Sequence, residues 1–205
     1  MRNSGIYFFL LVAGVLLFIA ACSHRAQPGI SDRDRSSGAT VRIPQATFRL
    51  PDVSISASER RRLELFMEEG IEQPVAVGKA TPAAVIETAR GYLGVPHCMG
   101  GTTTRCMDCS GLVFRAFGTN GITLPHSSEE QARYGRIIAD REMLMPGDLV
   151  FFVQTYNTSR LITHSGIFIG EGMFIHTSSR QGVTITPLDD PYWKERYLFG
   201  TRVFE

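Results

Sequence analysis

A change of hydrophobic pattern near Gly147 constrains the fold of this chain more than any other feature. Before this point apolar residues recur at the spacing of helix faces. Beyond it, five segments are rich in β-branched and aromatic residues and are separated by turn-forming residues. These segments are DLVFFV, HSGIFIG, MFIHT, VTITP and LFGTRVF. Helices followed by strands, with no helix between the strands, predict an α+β fold with an antiparallel sheet.

In the part of the sequence before the cysteine-rich stretch, start and stop signals predict two helices. Ser56 and Glu59 match a capping box for the first helix, which should end at Gly70. Thr81 caps the second helix and is followed by proline in the first turn, and the apolar face of this helix should continue to Gly94.

Two further helices are predicted between the second helix and the strands. Asp108 can cap a helix that begins with Cys109 and closes at Gly118. Ser127 and Glu130 match a second capping box, for a short helix over 128–134.

The N-terminal segment has the composition of an export signal. Arg2 is followed by an apolar run over 6–19 and by Ala20 and Ala21, and this run is too short to span a bilayer comfortably. The next residue is Cys22, and the sequence IAAC resembles the lipobox of bacterial lipoproteins, in which the cysteine is lipidated. The alternative is an ordinary secretory signal with a chance cysteine.

Lipidation of Cys22 would anchor the protein to a membrane of the bacterial cell envelope, outside the cytoplasm. In a Gram-negative cell this would be the outer membrane, with the protein facing the periplasm. The predicted organisation is a signal peptide over 1–21, a lipidated N-terminus and flexible tether over 22–55, an accessory helix and linker over 56–80, and one main domain over 81–205.

The charge balance argues against a nucleic-acid partner. The chain has 21 basic and 20 acidic residues, which leaves a formal net charge of +1. We therefore expect no nucleic acid among its partners, and we expect a monomer.

Three cysteines lie close together in the stretch HCMGGTTTRCMDCSG, at positions 98, 106 and 109. With His97 they could form a zinc site, but no second C-x-x-C or H-x-x-H pair accompanies them. A redox pair is also disfavoured, because the C-x-x-C spacing lacks a βαβ context. Cys109 would lie in the first turn of a helix, where free N–H groups lower the pKa of a thiol, and this favours a nucleophile.

Two histidines, His164 and His176, flank a turn in the strand region. If the loop consists of residues 170–172, Ile169 lies opposite Met173, and both histidines lie on one face of the sheet as diagonal neighbours. A two-residue loop would place them on opposite faces. A thiol, a histidine base and a second histidine that holds its tautomer together form a generalised catalytic triad.

Six motifs, in order, resemble the NlpC/p60 family of papain-like cell-wall endopeptidases, over roughly 81–204. They are YLGVPHCMGG, DCSGLV, LPHSSEEQ, MPGDLVFF, HSGIFIG and FIHTSS. The resemblance implies a papain-like fold in which N-terminal helices pack on a central antiparallel sheet of about five or six strands.

The resemblance also implies a reaction and a set of site residues. Cys109 is then the nucleophile, His164 the base and His176 the third catalytic member, while Asp108 and Ser110 help to recognise the stem peptide. From the residues alone, Asp108 is equally well explained as a helix cap. The implied activity is hydrolysis of peptidoglycan stem-peptide bonds, commonly between D-glutamate and a diamino acid, or of cross-links. No metal and no organic cofactor is implied.

Three positions depart from the family pattern. His97 replaces a tyrosine whose hydroxyl lies near the nucleophile, so that this imidazole either contacts the substrate oxyanion or is an ordinary loop histidine. The main oxyanion donor should be the backbone N–H of Cys109. Cys106 replaces a glycine, which suggests a different path for the loop, and Ser165 stands where valine is commoner.

Counting thiols suggests a disulfide. If Cys22 is lipidated, three cysteines remain in an oxidising compartment, and pairing Cys98 with Cys106 leaves Cys109 free. Two rival functions stay open: a module that binds wall peptides without cutting them, and an amidase or acyltransferase on the same fold.

Overall fold

The computed structural model describes residues 40–43, 46–49 and 53–204. The predicted signal peptide and Cys22 lie outside the described residues. Within the described ranges, no helix is both long enough and apolar enough to cross a membrane.

The stretch predicted as a tether contains regular structure. Strands β1 (Thr40–Ile43) and β2 (Ala46–Arg49) pair in antiparallel fashion, with Thr40 opposite Arg49. The stretch predicted as a tether over 22–55 therefore includes a short hairpin at these residues. Val41, Ile43 and Phe48 alternate with polar residues, a short strand pattern that the polar composition of the surroundings concealed.

Helices α1 (Ala57–Glu68) and α2 (Pro82–Arg90) begin where their caps predict. Ser56 and Glu59 form the capping box of α1, and the Thr81 side chain accepts a hydrogen bond at the start of α2. Helix α2 ends before the predicted Gly94, because the N–H of Gly94 donates to the carbonyl of Val183 in the sheet. A long-range hydrogen bond thus ends the helix a turn early.

Two helices lie beside the loop that carries the cysteines. Helix α3 (Cys109–Thr119) is capped by Asp108, whose Oδ1 accepts from the N–H of Gly111. Helix α4 (Ser128–Gln131) is shorter than predicted, since only turns follow it. A short hairpin precedes α3 and consists of β3 (Thr102–Thr103) and β4 (Cys106–Met107).

The main sheet has six antiparallel strands in the order β5-β10-β6-β7-β8-β9. The strands are β5 (Arg136–Ile138), β6 (Leu149–Val153), β7 (Ile162–Gly170), β8 (Met173–Ser178), β9 (Gly182–Pro187) and β10 (Tyr197–Arg202). All five predicted strands are present, and the α+β class with N-terminal helices is confirmed. Strand β5 and the short helix α5 (Pro191–Lys194), which interrupts the run of strands, were not predicted from the sequence.

Apolar side chains cover both faces of this sheet. One core cluster joins the sheet to the helices and includes Leu112 and Phe117 of α3. The other, smaller cluster includes Phe152 and Phe174, and the indole of Trp193 in α5 packs against it. Strand β6, at the centre of the sheet, is accordingly buried along its whole length.

The β7–β8 hairpin has the predicted register but not the predicted loop. Ile167 pairs with Ile175 as expected, whereas Met173 lies opposite Gly170 instead of Ile169. The turn therefore has two residues, both with positive φ, and a bulge at Ile169 restores the register. Because the bulge adds one residue, the two histidines still lie on the same face.

Candidate active site

A cleft of about 880 Å³ brings together most of the residues that the sequence analysis singled out. The N-terminus of α3 and strands β7 and β8 contribute to its walls. Residues lining it include His97, Asp108, Cys109, Ser110, His126, Ser128, Arg160, His164 and Trp193.

The Cys109 thiol lies at the first position of α3 and is half-buried. Burial raises its pKa, and the nearby negative charge of Asp108 adds to this effect, whereas hydrogen bonds from the backbone of Ser165 and Ser110 oppose it. The predicted lowering of the thiol pKa by the helix N-terminus is therefore wrong for the free protein, because desolvation outweighs the local N–H groups.

The hydrogen bond made by the thiol goes to a serine. The Sγ of Cys109 lies 3.5 Å from the Oγ of Ser128, which in turn lies 3.0 Å from the Oγ of Ser165. His164 lines the same cleft as the thiol. Catalytic hydrogen bonds are often long or poorly aligned before substrate binds.

The two histidines form a hydrogen-bonded pair. The Nε2 of His164 lies 3.0 Å from the Nδ1 of His176, and the Nε2 of His176 lies 3.0 Å from the Oγ1 of Thr186. Burial, together with the neighbouring His97, lowers the pKa of His164 to about 3, although the negative charge of Asp108 opposes the shift. Burial, with His164 as neighbour, also lowers the pKa of His176 well below its usual range. Both imidazoles are therefore neutral at pH 7.

An indole ring packs on both imidazoles. The ring centroid of Trp193 lies 4.7 Å from that of His164 and 4.6 Å from that of His176. No sequence pattern predicts that Trp193 reaches the site, because α5, which carries it, is only four residues long. The indole does pack in the core, and it also shields the histidine pair from water.

The Asp108 carboxylate accepts hydrogen bonds from four groups. Its Oδ1 accepts from the N–H of Gly111, the hydroxyl of Ser110 and the Nε2 of His126, and its Oδ2 accepts from the N–H of Gly100. Burial raises the pKa of this carboxyl, but the hydrogen bonds outweigh burial and the net shift is downward. Asp108 is thus an ionised anchor between α3, the preceding loop and His126.

Ser110 and His97 differ in how they are held. Ser110 is buried and its hydroxyl donates to Asp108. His97 is half-buried, and its backbone forms a bridge with Met107, next to the short hairpin. In the described part of the chain, its imidazole makes no hydrogen bond, so the ring is available to a bound molecule in the cleft.

Cys98 and Cys106 form a disulfide that closes the loop before α3, with an S–S distance of 2.06 Å. Because Cys98 and Cys106 are bonded to each other, they are not available as two of the four ligands that a zinc site would need. Within the described residues, no group of three or more His, Cys, Asp or Glu side chains could hold a metal ion.

The loop closed by the disulfide lies directly against α3. A Cβ atom at Gly111 would overlap the backbone carbonyl oxygen of Gly101. A glycine at this position thus allows the loop to lie close to α3.

A thiol at a helix N-terminus that shares a cleft with His164, which is hydrogen-bonded to the buried His176, is the arrangement of cysteine-dependent hydrolases. The comparisons with known proteins agree with this class. The model of the NlpC/P60 family matches residues 94–202, which is more than half of the chain. The chain belongs to the NlpC/P60 family of cysteine peptidases.

Several curated relatives are similar in sequence. The chain is 42% identical over 123 residues to the Gamma-DL-glutamyl hydrolase of Bacillus subtilis. The matched region covers 59% of the chain and 29% of the relative. The chain is 39% identical over 120 residues to the Murein DD-endopeptidase MepS/Murein LD-carboxypeptidase of Escherichia coli K12, covering 58% of the chain and 61% of the relative. The chain thus spans less than two thirds of the length of these relatives.

Solved structures agree on the fold. An NlpC/P60 family protein from Bacillus cereus superposes with a TM-score of 0.57 at 32% identity, over 63% of this chain and 42% of that one. A lipoprotein-like member from Staphylococcus aureus superposes with a TM-score of 0.56 at 30% identity, over 65% of this chain and 44% of that one.

Proposed function

We propose that this protein is a cysteine peptidase that hydrolyses stem-peptide bonds of peptidoglycan through Cys109, His164 and His176. The bond cut is either the link from D-glutamate to a diamino acid or a cross-link peptide bond. The observation that carries the proposal is the 3.0 Å contact between the Nε2 of His164 and the Nδ1 of His176, in the same cleft as the only free thiol of the described residues.

The hydrogen-bond chain of the histidines supports the role of His164 as base. If the Nδ1 of His164 is to accept the thiol proton, its Nε2 must carry the hydrogen and donate to the Nδ1 of His176. His176 then carries its own hydrogen on Nε2 and donates it to the Oγ1 of Thr186. The two imidazoles and the Thr186 hydroxyl can all adopt these donor and acceptor roles. His176 and Thr186 would therefore hold His164 in the tautomer that a base needs.

The reaction would proceed from a neutral thiol and a neutral imidazole. As the sulfur of Cys109 attacks the scissile carbonyl, the thiol proton moves to the Nδ1 of His164. The oxyanion is stabilised by the backbone N–H of Cys109, which has no intrahelical partner because it lies in the first turn. The imidazolium then protonates the leaving amine, and water hydrolyses the thioester with His164 as base again.

The names of the relatives support peptidoglycan as the substrate. The Escherichia coli protein is named for murein, and a Bacillus cereus relative, 37% identical over 125 residues, is named a Gamma-D-glutamyl-L-lysine dipeptidyl-peptidase. We further propose that the protein works in the cell envelope, outside the cytoplasm. Membrane attachment through a lipid on Cys22 remains part of the same proposal.

Digestion of purified peptidoglycan tests the reaction. Fragments released by the wild type, Cys109→Ala and His164→Ala are separated and their masses determined, so that the cleaved bond is read directly. We expect both variants to release at least 1,000-fold less product, of order the loss seen when a triad member is removed.

Met143→Ala is the matched control, since this side chain is exposed and lies outside the cleft. Equal products from the wild type and Cys109→Ala would overturn the proposal. Peptide binding without any Cys109-dependent product would point instead to a binding module, and products from a different amide or ester would point to the amidase alternative.

A further inference from the structure

Three buried polar side chains connect the Cys109 thiol to the interior of the protein. The Oγ of Ser128 lies 3.5 Å from the Sγ of Cys109 and 3.0 Å from the Oγ of Ser165. The Oγ of Ser165 lies 3.1 Å from the Oε1 of Gln131. Ser165 and Gln131 are fully buried and Ser128 is nearly so, which leaves these groups little access to bulk water.

The hydrogen-bonded series ends at Gln131, and the amide group of this side chain can have only one orientation. The side-chain Nε2 of Gln131 donates to two backbone carbonyls, at 2.9 Å to Ser110 and at 2.8 Å to Pro125. Both of its hydrogens are therefore used. The Oε1 atom, which can only accept, is the atom that faces Ser165.

This orientation sets the direction of each following hydrogen bond. Ser165 must donate its single hydroxyl hydrogen to Gln131, so it can only accept from Ser128. Ser128 then donates its own hydrogen to Ser165 and presents a lone pair to the sulfur. In this arrangement a neutral Cys109 thiol can donate its hydrogen to the Oγ of Ser128. A thiolate at Cys109 would instead face a lone pair of that oxygen, which is unfavourable.

We propose that Ser165 is a positioning residue that keeps Cys109 in the neutral thiol form in the free protein, by holding the hydroxyl hydrogen of Ser128. The proposal rests on the role of Cys109 as nucleophile under the proposed function. When the thiol proton leaves for His164, Ser128 can stabilise the sulfur anion only by turning its hydrogen away from Ser165. The hydrogen bond between the two serines is then lost.

Removal of the Ser165 hydroxyl should therefore make the thiol more acidic. In Ser165→Ala, the hydrogen of Ser128 has no acceptor on that side and is free to point at the sulfur, where it stabilises the anion. We expect the apparent pKa of Cys109 to fall by about one unit, which is about a tenfold increase in the fraction of thiolate below the pKa.

The test measures the rate of alkylation of Cys109 by iodoacetamide as a function of pH. The full chain is used without reductant, so that the disulfide stays intact, and modification is read by mass spectrometry on the peptide that contains Cys109. Thr201→Val is the matched control, because it removes a buried hydroxyl that has no hydrogen-bond partner among the described residues. Melting curves check that each variant folds.

Ser128→Ala makes the test specific for the proposed route. If Ser165 acts through Ser128, the acid shift seen in Ser165→Ala is absent in the double variant Ser128→Ala/Ser165→Ala. If Ser165→Ala fails to fold, Ser165→Val removes the same hydroxyl and fills its space. An unchanged or raised pKa in the folded Ser165 variant, or a shift of the same size without Ser128, would overturn the proposal.

Failure of this proposal can be told from failure of the proposed function. Alkylation requires no peptide hydrolysis, so an acid shift can be observed even in a protein that cuts no bond. Conversely, hydrolysis that depends on Cys109 would stand if Ser165→Ala left the thiol unchanged.

Discussion

The Nε2 of His126 lies 3.0 Å from the Oδ1 of Asp108 and holds the carboxylate that precedes Cys109. The same carboxylate accepts from the N–H groups of Gly100 and Gly111 and from Ser110. Asp108 therefore ties three parts of the chain together. The two interpretations from sequence, helix cap and substrate contact, now predict different results for its substitution.

Asp108→Ala should mainly destabilise the protein. The variant loses a helix cap and leaves buried N–H groups without an acceptor, which together cost about 2 to 4 kcal/mol in the free energy of unfolding. Urea unfolding measures this, with Ser110→Ala as the comparison, for which we expect about 1 kcal/mol. A stable Asp108→Ala protein with a greatly raised KM would instead favour a direct contact with substrate.

Thr186→Val should slow catalysis without weakening substrate binding. The variant removes the acceptor of the His176 Nε2 hydrogen, so that the wrong tautomer of the histidine pair becomes more populated. We expect kcat to fall roughly tenfold at an unchanged KM. Thr184→Val is the control on the same strand, and an equal loss in both variants would mean that the hydroxyl of Thr186 has no special role.

The buried histidines should make the protein less stable in mild acid. The pKa of His164 is about 3 in the folded protein and near 6.5 when unfolded, so the unfolded state binds the proton first as the pH falls. This contribution to stability is complete above pH 6.5 and is lost as the pH falls from there towards 3. Each such histidine contributes about 1.4 kcal/mol per pH unit within this window.

Urea unfolding at pH 7.5 and pH 5.0 measures the effect. The loss of stability between these two values should be about 2 kcal/mol smaller in His164→Gln than in the wild type. Arg180→Gln, which changes an exposed side chain, should leave the loss as it is. A pH dependence of His164→Gln equal to that of the wild type would contradict the low pKa.

The disulfide between Cys98 and Cys106 should stabilise the protein. Its cysteines are eight residues apart, and closing so short a loop reduces the entropy of the unfolded chain by the equivalent of about 2 to 3 kcal/mol. Cys98→Ser/Cys106→Ser should lower the free energy of unfolding by this amount, measured without reductant. The same loss should appear in the wild type on reduction and should not grow when reductant is added to the variant.

The fold was predictable where local signals are strong. The caps at Ser56, Thr81 and Asp108 depend on atoms within three residues, and each predicted helix start is present. Strand β5 was missed because it has only three residues and exists through its pairing with β10, far along the chain. Helix α5 is four residues long and has no period to detect.

The site was predictable only in part. Strand alternation was enough to place His164 and His176 on one face, although the turn that achieves this differs from the one predicted. The SSEEQ segment contains Ser128 and Gln131, which the sequence presents as ordinary polar helix residues. Their burial beside the thiol depends on contacts with Ser165, 37 and 34 residues further along the chain.

Capping and strand alternation are properties of neighbouring residues, so the sequence alone predicts that Cys109 begins a helix and that the two histidines share a strand face. The protonation of these groups depends instead on how the chain folds around them. Burial between the sheet and the helices raises the pKa of Cys109 and lowers that of His164, against the effect of the helix N-terminus on the thiol. Desolvation depends on everything that packs around a group, and most of that comes from distant parts of the chain.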